Sequence, residues 1–374
     1  MLWYHPLLHS IPGCPAPQPC AGARSVRPWP SVLIEGSVAL GGAVVVMSII
    51  PPKLQPGSHL RVITPSRSLA IINADVRAGA ERRLGELGVT VSFSRHTEEC
   101  DVFASSSLTS RLDDLHEAFD DAAVDGVLTA IGGFNSHQIL PAVDWALLSR
   151  NSKPLCGFSD ITALQNAILS RSGLVTYSGP HYSTFGIRRG LDATLRAFMA
   201  CLFSDAPFPL TAADSWTDDP WSPGAAEARL EPNEGWWVIQ EGTATGMTVG
   251  GNLGTFSLLN GTPYQPDLAD TILLAEADDS ERPHDIDRSL VAMSQQPGFD
   301  GVQGLLVGRF QKGSGMSREL LQQMVATKPA LAGRPVIANV DFGHTYPMVT
   351  LPIGGVLAMT ADVGGASQVI VIRH

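Results

Sequence analysis

From His59 onward, short apolar runs alternate with stretches of helical period, and this alternation restricts the fold more than any other feature of the chain. Residues 60–63, 89–93, 127–131, 155–158 and 174–177 read as strands. Between them, helical period covers 74–87, 107–122, 136–148 and 161–171, with Gly88 and Gly173 standing where a helix end calls for left-handed backbone. The pattern predicts an α/β domain: a mostly parallel sheet flanked by helices, binding its ligand at the carboxyl ends of the strands. Residues 206–234, rich in Trp and Pro, interrupt it. Beyond them, apolar runs at 237–240, 271–275, 304–307, 336–340 and 368–372, with helical period at 285–294 and 317–326, predict a β-rich α+β domain. The expected organisation is therefore an extension over 1–46, a nucleophile-bearing α/β domain over 47–205, a linker over 206–234 and a second domain over 235–374.

Composition narrows the function classes. The chain has 374 residues, enough for two filled cores, and its 44% hydrophobic against 16% charged residues excludes a disordered protein. A net charge of −11 leaves no basic footprint for a nucleic acid polymer. Cys14, Cys20, Cys100, Cys156 and Cys201 are odd in number and form no CxxC pair, so neither a disulfide framework nor a metal site is expected, and the cytoplasm fits as a reducing compartment. The apolar stretch 36–50 is too short to span a bilayer comfortably, and no membrane association is expected. From Met47 the sequence reads as an ordinary domain start, which marks 1–46 as outside the fold.

Ser159 lies where the buried run 154–158 breaks into an amphipathic helix beginning at Asp160. That is the layout of a nucleophile elbow, in which a tight strand-to-helix turn exposes a hydroxyl and frees the next backbone N–H. Gly157-Phe158-Ser159-Asp160 lacks the second glycine of G-x-S-x-G, and a serine at a helix start is also an ordinary N-cap. A hydrolytic serine needs a base. His344 follows the apolar run 336–340 and should emerge at its carboxyl end, while His137 and His181 compete within the first domain. Glu276 ends the apolar run 271–275 and is a candidate to orient the base. The residues alone equally allow a turn histidine and a local cap.

Several spaced segments resemble the LD-carboxypeptidase family of serine peptidases. They are Ile131-Gly132-Gly133-Phe134-Asn135-Ser136, Lys153-Pro154 with Gly157 to Leu164, Gly179-Pro180, Gly250-Gly251-Asn252-Leu253, Gly261-Thr262-Pro263-Tyr264, Ile286-Asp287-Arg288 and Gly343-His344-Thr345. The resemblance spans 48–374 and implies a Ser159, Glu276, His344 triad needing no cofactor or metal. It implies an oxyanion hole from the N–H groups of Asp160 and Gly133, with Gly132, Phe134, Asn135 and Ser136 near the substrate. Gly-Gly followed by a hydrophobic residue and Asn-Ser is similar to the microcin C self-immunity branch, although Ala277 stands where the family often has Asp. That branch implies cleavage of an amide joining a peptidyl aspartate to a nucleotide-like group, and a homodimer. A muropeptide carboxypeptidase and a catalytically silent peptide binder are the alternatives. Trp216, Trp221, Trp236 and Trp237 would suit a wall for a substrate ring, or packing between domains.

A chain beginning at Met47 is expected to express and melt like the full one, because no packed element is lost. A large fall in melting temperature on this truncation would contradict it.

Overall fold

In the computed structural model, which describes residues 48–187, 191–219 and 229–374 and the short strands Val38–Leu40 and Ala43–Val45, the predicted alternation forms a six-stranded sheet. Its order is Leu351–Ile353, Thr176–Ser178, Leu155–Gly157, Gly126–Thr129, His59–Ile63, Thr90–Phe93. The last five run parallel. Consecutive strand residues point to opposite faces. Accordingly Ile63, Val127 and Leu155 enter one hydrophobic core, while Val62, Leu128 and Cys156 enter another on the far face.

Residues 46–374 form one compact unit, and 1–45 another of which the described part is the antiparallel pair Val38–Leu40 and Ala43–Val45. The rest of the expected 1–46 extension lies outside the described residues, as does Trp221.

Most expected helices stand within a residue or two of their expected ends, as Ala74–Glu86, Leu108–Asp120 and Ile161–Ser172. The expected helix over 136–148 is instead a 3-10 segment, Ser136–Ala142, and a separate α-helix, Trp145–Arg150. Pro141 cannot donate a helical hydrogen bond, and Asp144 opens a new helix by accepting the Leu147 N–H at 2.9 Å.

The second sheet has eight strands, in the order Trp237–Gln240, Val336–Val340, Gly304–Gly308, Thr271–Glu276, Gly242–Asn252, Val356–Ala361, Gln368–Arg373, Phe208–Pro209. The four from Val336–Val340 to Gly242–Asn252 are parallel and the outer pairings antiparallel. Two features cross the expected boundaries. Phe208–Pro209, from the segment read as a linker, borders this second sheet, and Leu351–Ile353 returns to pair antiparallel with Thr176–Ser178 in the first.

Helix Ile161–Ser172 lies between the sheets and touches strands of both. Every residue except Ser170 and Arg171 is buried, as expected of a helix covered all round. Its buried polar side chains tie it to both sheets, Gln165 Oε1 alone among them lacking a partner. Gln165 Nε2 donates to the carbonyls of Gly157 (3.0 Å) and Tyr177 (2.6 Å) in the first sheet. Asn166 Nδ2 donates to Gly250 O at 2.9 Å and its Oδ1 accepts the Gly250 N–H at 2.9 Å, in the second. Thr162 Oγ1 accepts the Asn252 N–H at 3.0 Å.

Asn166→Leu would strand a buried N–H and C=O of Gly250, each costing about 1–3 kcal/mol. Urea unfolding should show a loss of ~2–4 kcal/mol, whereas Ser170→Ala, on the exposed side of the same helix, should change stability by less than about 0.5 kcal/mol. Equal effects would show that the Gly250 ties contribute nothing.

Candidate active site

Ser159 is the middle one of the three residues between strand Leu155–Gly157 and helix Ile161–Ser172, at φ 60°. An L-residue in the left-handed region costs about 1–2 kcal/mol, and strain of this kind concentrates at functional sites. The sharp turn lifts the side chain off the sheet edge. Its hydroxyl is not the helix cap: the N-cap residue is Asp160, and Ser159 Oγ lies 3.0 Å from His344 Nε2.

His344 follows strand Val336–Val340, with its Nδ1 2.7 Å from Glu276 Oε2. A carboxylate can only accept, so Nδ1 carries the ring proton and Nε2 is left to accept from the Ser159 hydroxyl. Glu276 is the last residue of strand Thr271–Glu276 and is 3% exposed; its Oε1 has no partner. All three side chains thus stand at the carboxyl ends of parallel strands, drawn from positions as far as 185 residues apart.

The backbone around Glu276 is bare. A Cβ on Gly343, at φ 99°, would lie 2.7 Å from Glu276 Oε2, and one on Gly308 would lie 2.9 Å from its Cβ. The His344 loop is fixed by a buried ion pair, Asp341 with Arg309, and Asp341 Oδ2 also accepts the Ala213 N–H at 2.8 Å. Arg309 in turn lies 5.0 Å from the ring centre of Trp216, so that tryptophan backs the ion pair.

Burial pushes the His344 imidazolium down, but the charge and hydrogen bond of Glu276, with Asp278 and Asp279, outweigh it and hold its pKa above the ordinary 6.5. The competing His181 also lies at the site, but not as a partner of Ser159. It is 2% exposed, packs 4.4 Å from Phe158 and shares a 2.7 Å hydrogen bond with Thr129 Oγ1. Burial, with His344 close by, lowers its pKa to about 3, so it stays neutral. His137 makes no hydrogen bond to Ser159.

The glycine loop comes close to Ser159. A Cβ on Gly132 would stand 2.9 Å from Ser159 Cβ and 3.0 Å from its Oγ. Neither the Gly133 nor the Asp160 backbone N–H is used within the described residues. The Asp160 carboxylate has a role that sequence reasoning missed. Its Oδ2 accepts from Ser66 Oγ (2.6 Å), Asn135 N (2.9 Å) and Ser136 N (2.8 Å), which ties the glycine loop to the residue after the serine. Ser136, expected near substrate, is fully buried and its hydroxyl donates to Asp160 O, so it braces the loop. Phe134 is 79% exposed and Asn135 half-buried. No group of three or more His, Cys, Asp or Glu among the described residues is placed to hold a metal ion.

This arrangement can polarise one hydroxyl and offers two unpaired N–H groups for a developing oxyanion. Comparison with known proteins agrees with acyl-transfer chemistry. Residues 60–179 match the LD-carboxypeptidase N-terminal domain and 245–359 the LD-carboxypeptidase C-terminal domain. The putative carboxypeptidase YocD of Bacillus subtilis is 45% identical over 322 residues, covering 86% of this chain and 99% of its own. The microcin C7 self-immunity protein MccF of Escherichia coli is 27% identical over 281 residues, covering 71% and 80%. A crystal structure of an MccF-like protein from Bacillus anthracis superposes with a TM-score of 0.86 at 44% identity, covering 87% of this chain and all of that one. The chain therefore belongs to the LD-carboxypeptidase family, both of whose domains it carries in order, and is a serine-type carboxypeptidase.

Proposed function

We propose that Ser159, His344 and Glu276 form a catalytic triad that cleaves the C-terminal amide bond of a small peptide or peptidyl-nucleotide-like substrate. The observation that carries this reading is the single imidazole bonded on one side to a strained serine, at 3.0 Å, and on the other to a buried carboxylate, at 2.7 Å. Ser159 Oγ attacks the scissile carbonyl while His344 Nε2 takes its proton, and the same nitrogen then protonates the departing amine. Glu276 holds the ring and stabilises its cationic form. The N–H groups of Gly133 and Asp160 receive the oxyanion; one such donor is typically worth about 3–4 kcal/mol of barrier. The likeness to MccF and to the MccF-like structure supports the immunity-type substrate, and the cysteine pattern supports a cytoplasmic enzyme.

Incubation with an aspartyl-sulfamoyl-adenosine-type conjugate and with a tetrapeptide muropeptide, with products identified by mass, tests the substrate class. Ser159→Ala should lower turnover by ~10⁴ or more with binding retained. Near-normal turnover in that variant would end the triad reading.

The base works only when neutral, so kcat/KM should rise with pH through the His344 pKa, and this acid limb should lie above pH 6.5. Glu276→Gln removes the largest of the charges that hold the imidazolium, leaving burial opposed only by Asp278 and Asp279, so the limb should move to lower pH as the maximal rate falls. The charges of Asp278 and Asp279 still act on the ring, and the nearby Glu281 carboxyl is pushed up to about 7 by burial and by Asp278, Glu276 and Asp285. A limb unmoved in the pH profile of Glu276→Gln would show that another group titrates.

A further inference from the structure

Beside the glycine loop lies an open cavity of about 440 Å³, walled by Arg67, Phe103, Ser106, Arg111, Phe134 and Asn135 among others. Its two arginines differ. Arg111 is buried and its terminal nitrogens are committed, donating to Asn135 O at 2.9 Å and Gln138 Oε1 at 2.8 Å, while its Nε has no partner. Arg67 is half-buried, and its guanidinium makes no hydrogen bond or ion pair among the described residues. Its position is nevertheless well defined. The preceding Ser66 hydroxyl donates to Asp160 Oδ2 at 2.6 Å, and the Ser105 hydroxyl donates to Ser66 O at 2.6 Å. The Arg67 stem lies across Gly133, where an added Cβ would meet its Cγ at 2.5 Å and its Cδ at 2.9 Å.

A half-buried cation without a partner forfeits hydration and recovers little in return. This one is held against the loop whose other glycine touches Ser159. Asp101, the one acidic side chain in the wall, already accepts through Oδ1 from Phe103 N (2.8 Å) and Ser105 N (2.9 Å). The wall also holds Ser106, whose hydroxyl is 6% exposed at residue level and has no partner. In a chain of net charge −11, two arginines against one aspartate make this a local cationic site. Flanking it, Phe103 is 76% and Phe134 79% exposed, giving apolar surface beside the charge.

We propose that Arg67 is a specificity-determining residue that binds an oxyanion on the leaving side of the substrate. The chemistry is a compact anion close to the scissile bond and next to an apolar or aromatic group. A C-terminal carboxylate supplies it, and so does a phosphoryl-type linker of a nucleotide conjugate. The proposal rests on the carboxypeptidase reading for the direction of cleavage, but not on which residue attacks.

The test is steady-state kinetics on the full chain with Arg67→Met, which keeps an apolar stem over Gly133, and Arg67→Lys, which keeps a charge. Three substrates are compared: a peptide with a free C-terminal carboxylate, the same peptide as its C-terminal carboxamide, and an aminoacyl-nucleotide conjugate with an anionic linker. Arg67→Met should raise KM about 10- to 100-fold for whichever substrate presents the recognised anion, the usual size of a charge-assisted hydrogen bond, and leave the carboxamide unchanged. Arg67→Lys should restore part of the loss. A selective loss on the carboxylate peptide identifies a C-terminal carboxylate, and one on the conjugate identifies the linker. Equal effects on all three substrates, or none on any, overturn the proposal. Ser159→Ala is run beside these variants. Surviving turnover there with a selective Arg67 effect would reject the triad and keep the anion site, and the reverse pattern would do the opposite.

Discussion

The buried helix after Ser159 is tied to both sheets by hydrogen bonds that cannot be exchanged for water. Gln165 fastens it to the first sheet, and Thr162 with Asn166 fastens it to the backbone of Gly250 and Asn252 in the second. Asn252 sits in register opposite Glu276 on the adjacent parallel strand. One helix therefore sets both the height of the serine and its separation from the carboxylate. Two glycines make this possible: Gly251, at φ 131°, lets the strand end come against Thr162, where a Cβ would stand 2.7 Å from Thr162 Oγ1, and Gly250, at φ 103°, leaves no room for a Cβ beside Leu274 O, at 2.2 Å. Apolar packing alone would hold the helix in place but would leave its rotation and axial position less determined.

A second brace acts at the glycine loop. The Asp160 carboxylate gathers Ser66, Asn135 and Ser136 around one oxygen, so the glycine loop moves with the residue that follows the serine. On the third side, the buried Arg309–Asp341 pair anchors the histidine loop. Such a pair is weak evidence for stability, since both ions lose their hydration, but it holds one geometry firmly. Ser159 and the His344 loop are thus seated by polar networks, while Glu276 is held at a strand end against Gly308 and Gly343, and the surrounding cores provide most of the folding energy.

Much of this was legible in the sequence where the signal was local. Mostly apolar runs such as residues 60–63 and Val336–Val340, each with one polar residue, marked the strands, and the break at Ser159 marked the turn. Strand Gly242–Asn252 escaped notice because Gly242, Gly246, Gly250 and Gly251 dilute its hydrophobic pattern. Leu351–Ile353 is three residues long with a central proline, and what makes it a strand is Thr176–Ser178, far away in sequence. The Asp160 brace was hidden because an acidic residue at a helix start reads as a cap. A trace of the helix ties was present: Thr162 and Asn166, four apart in an apolar helix, lie on one face and needed partners. The partners themselves belong to tertiary structure.

The return of Leu351–Ile353 to the first sheet also bears on how the chain comes to be folded. During synthesis, strand Thr176–Ser178 emerges with its outer edge unpaired and stays so until about 175 more residues have been added. An open parallel edge is a template for mispairing, and contacts this distant in sequence form late. The half that carries Ser159 therefore lacks one of its own sheet strands until the other half has been made. The hydrogen-bonded chain of Ser159, His344 and Glu276 draws two of its three members from the later half, so a partly made chain lacks it.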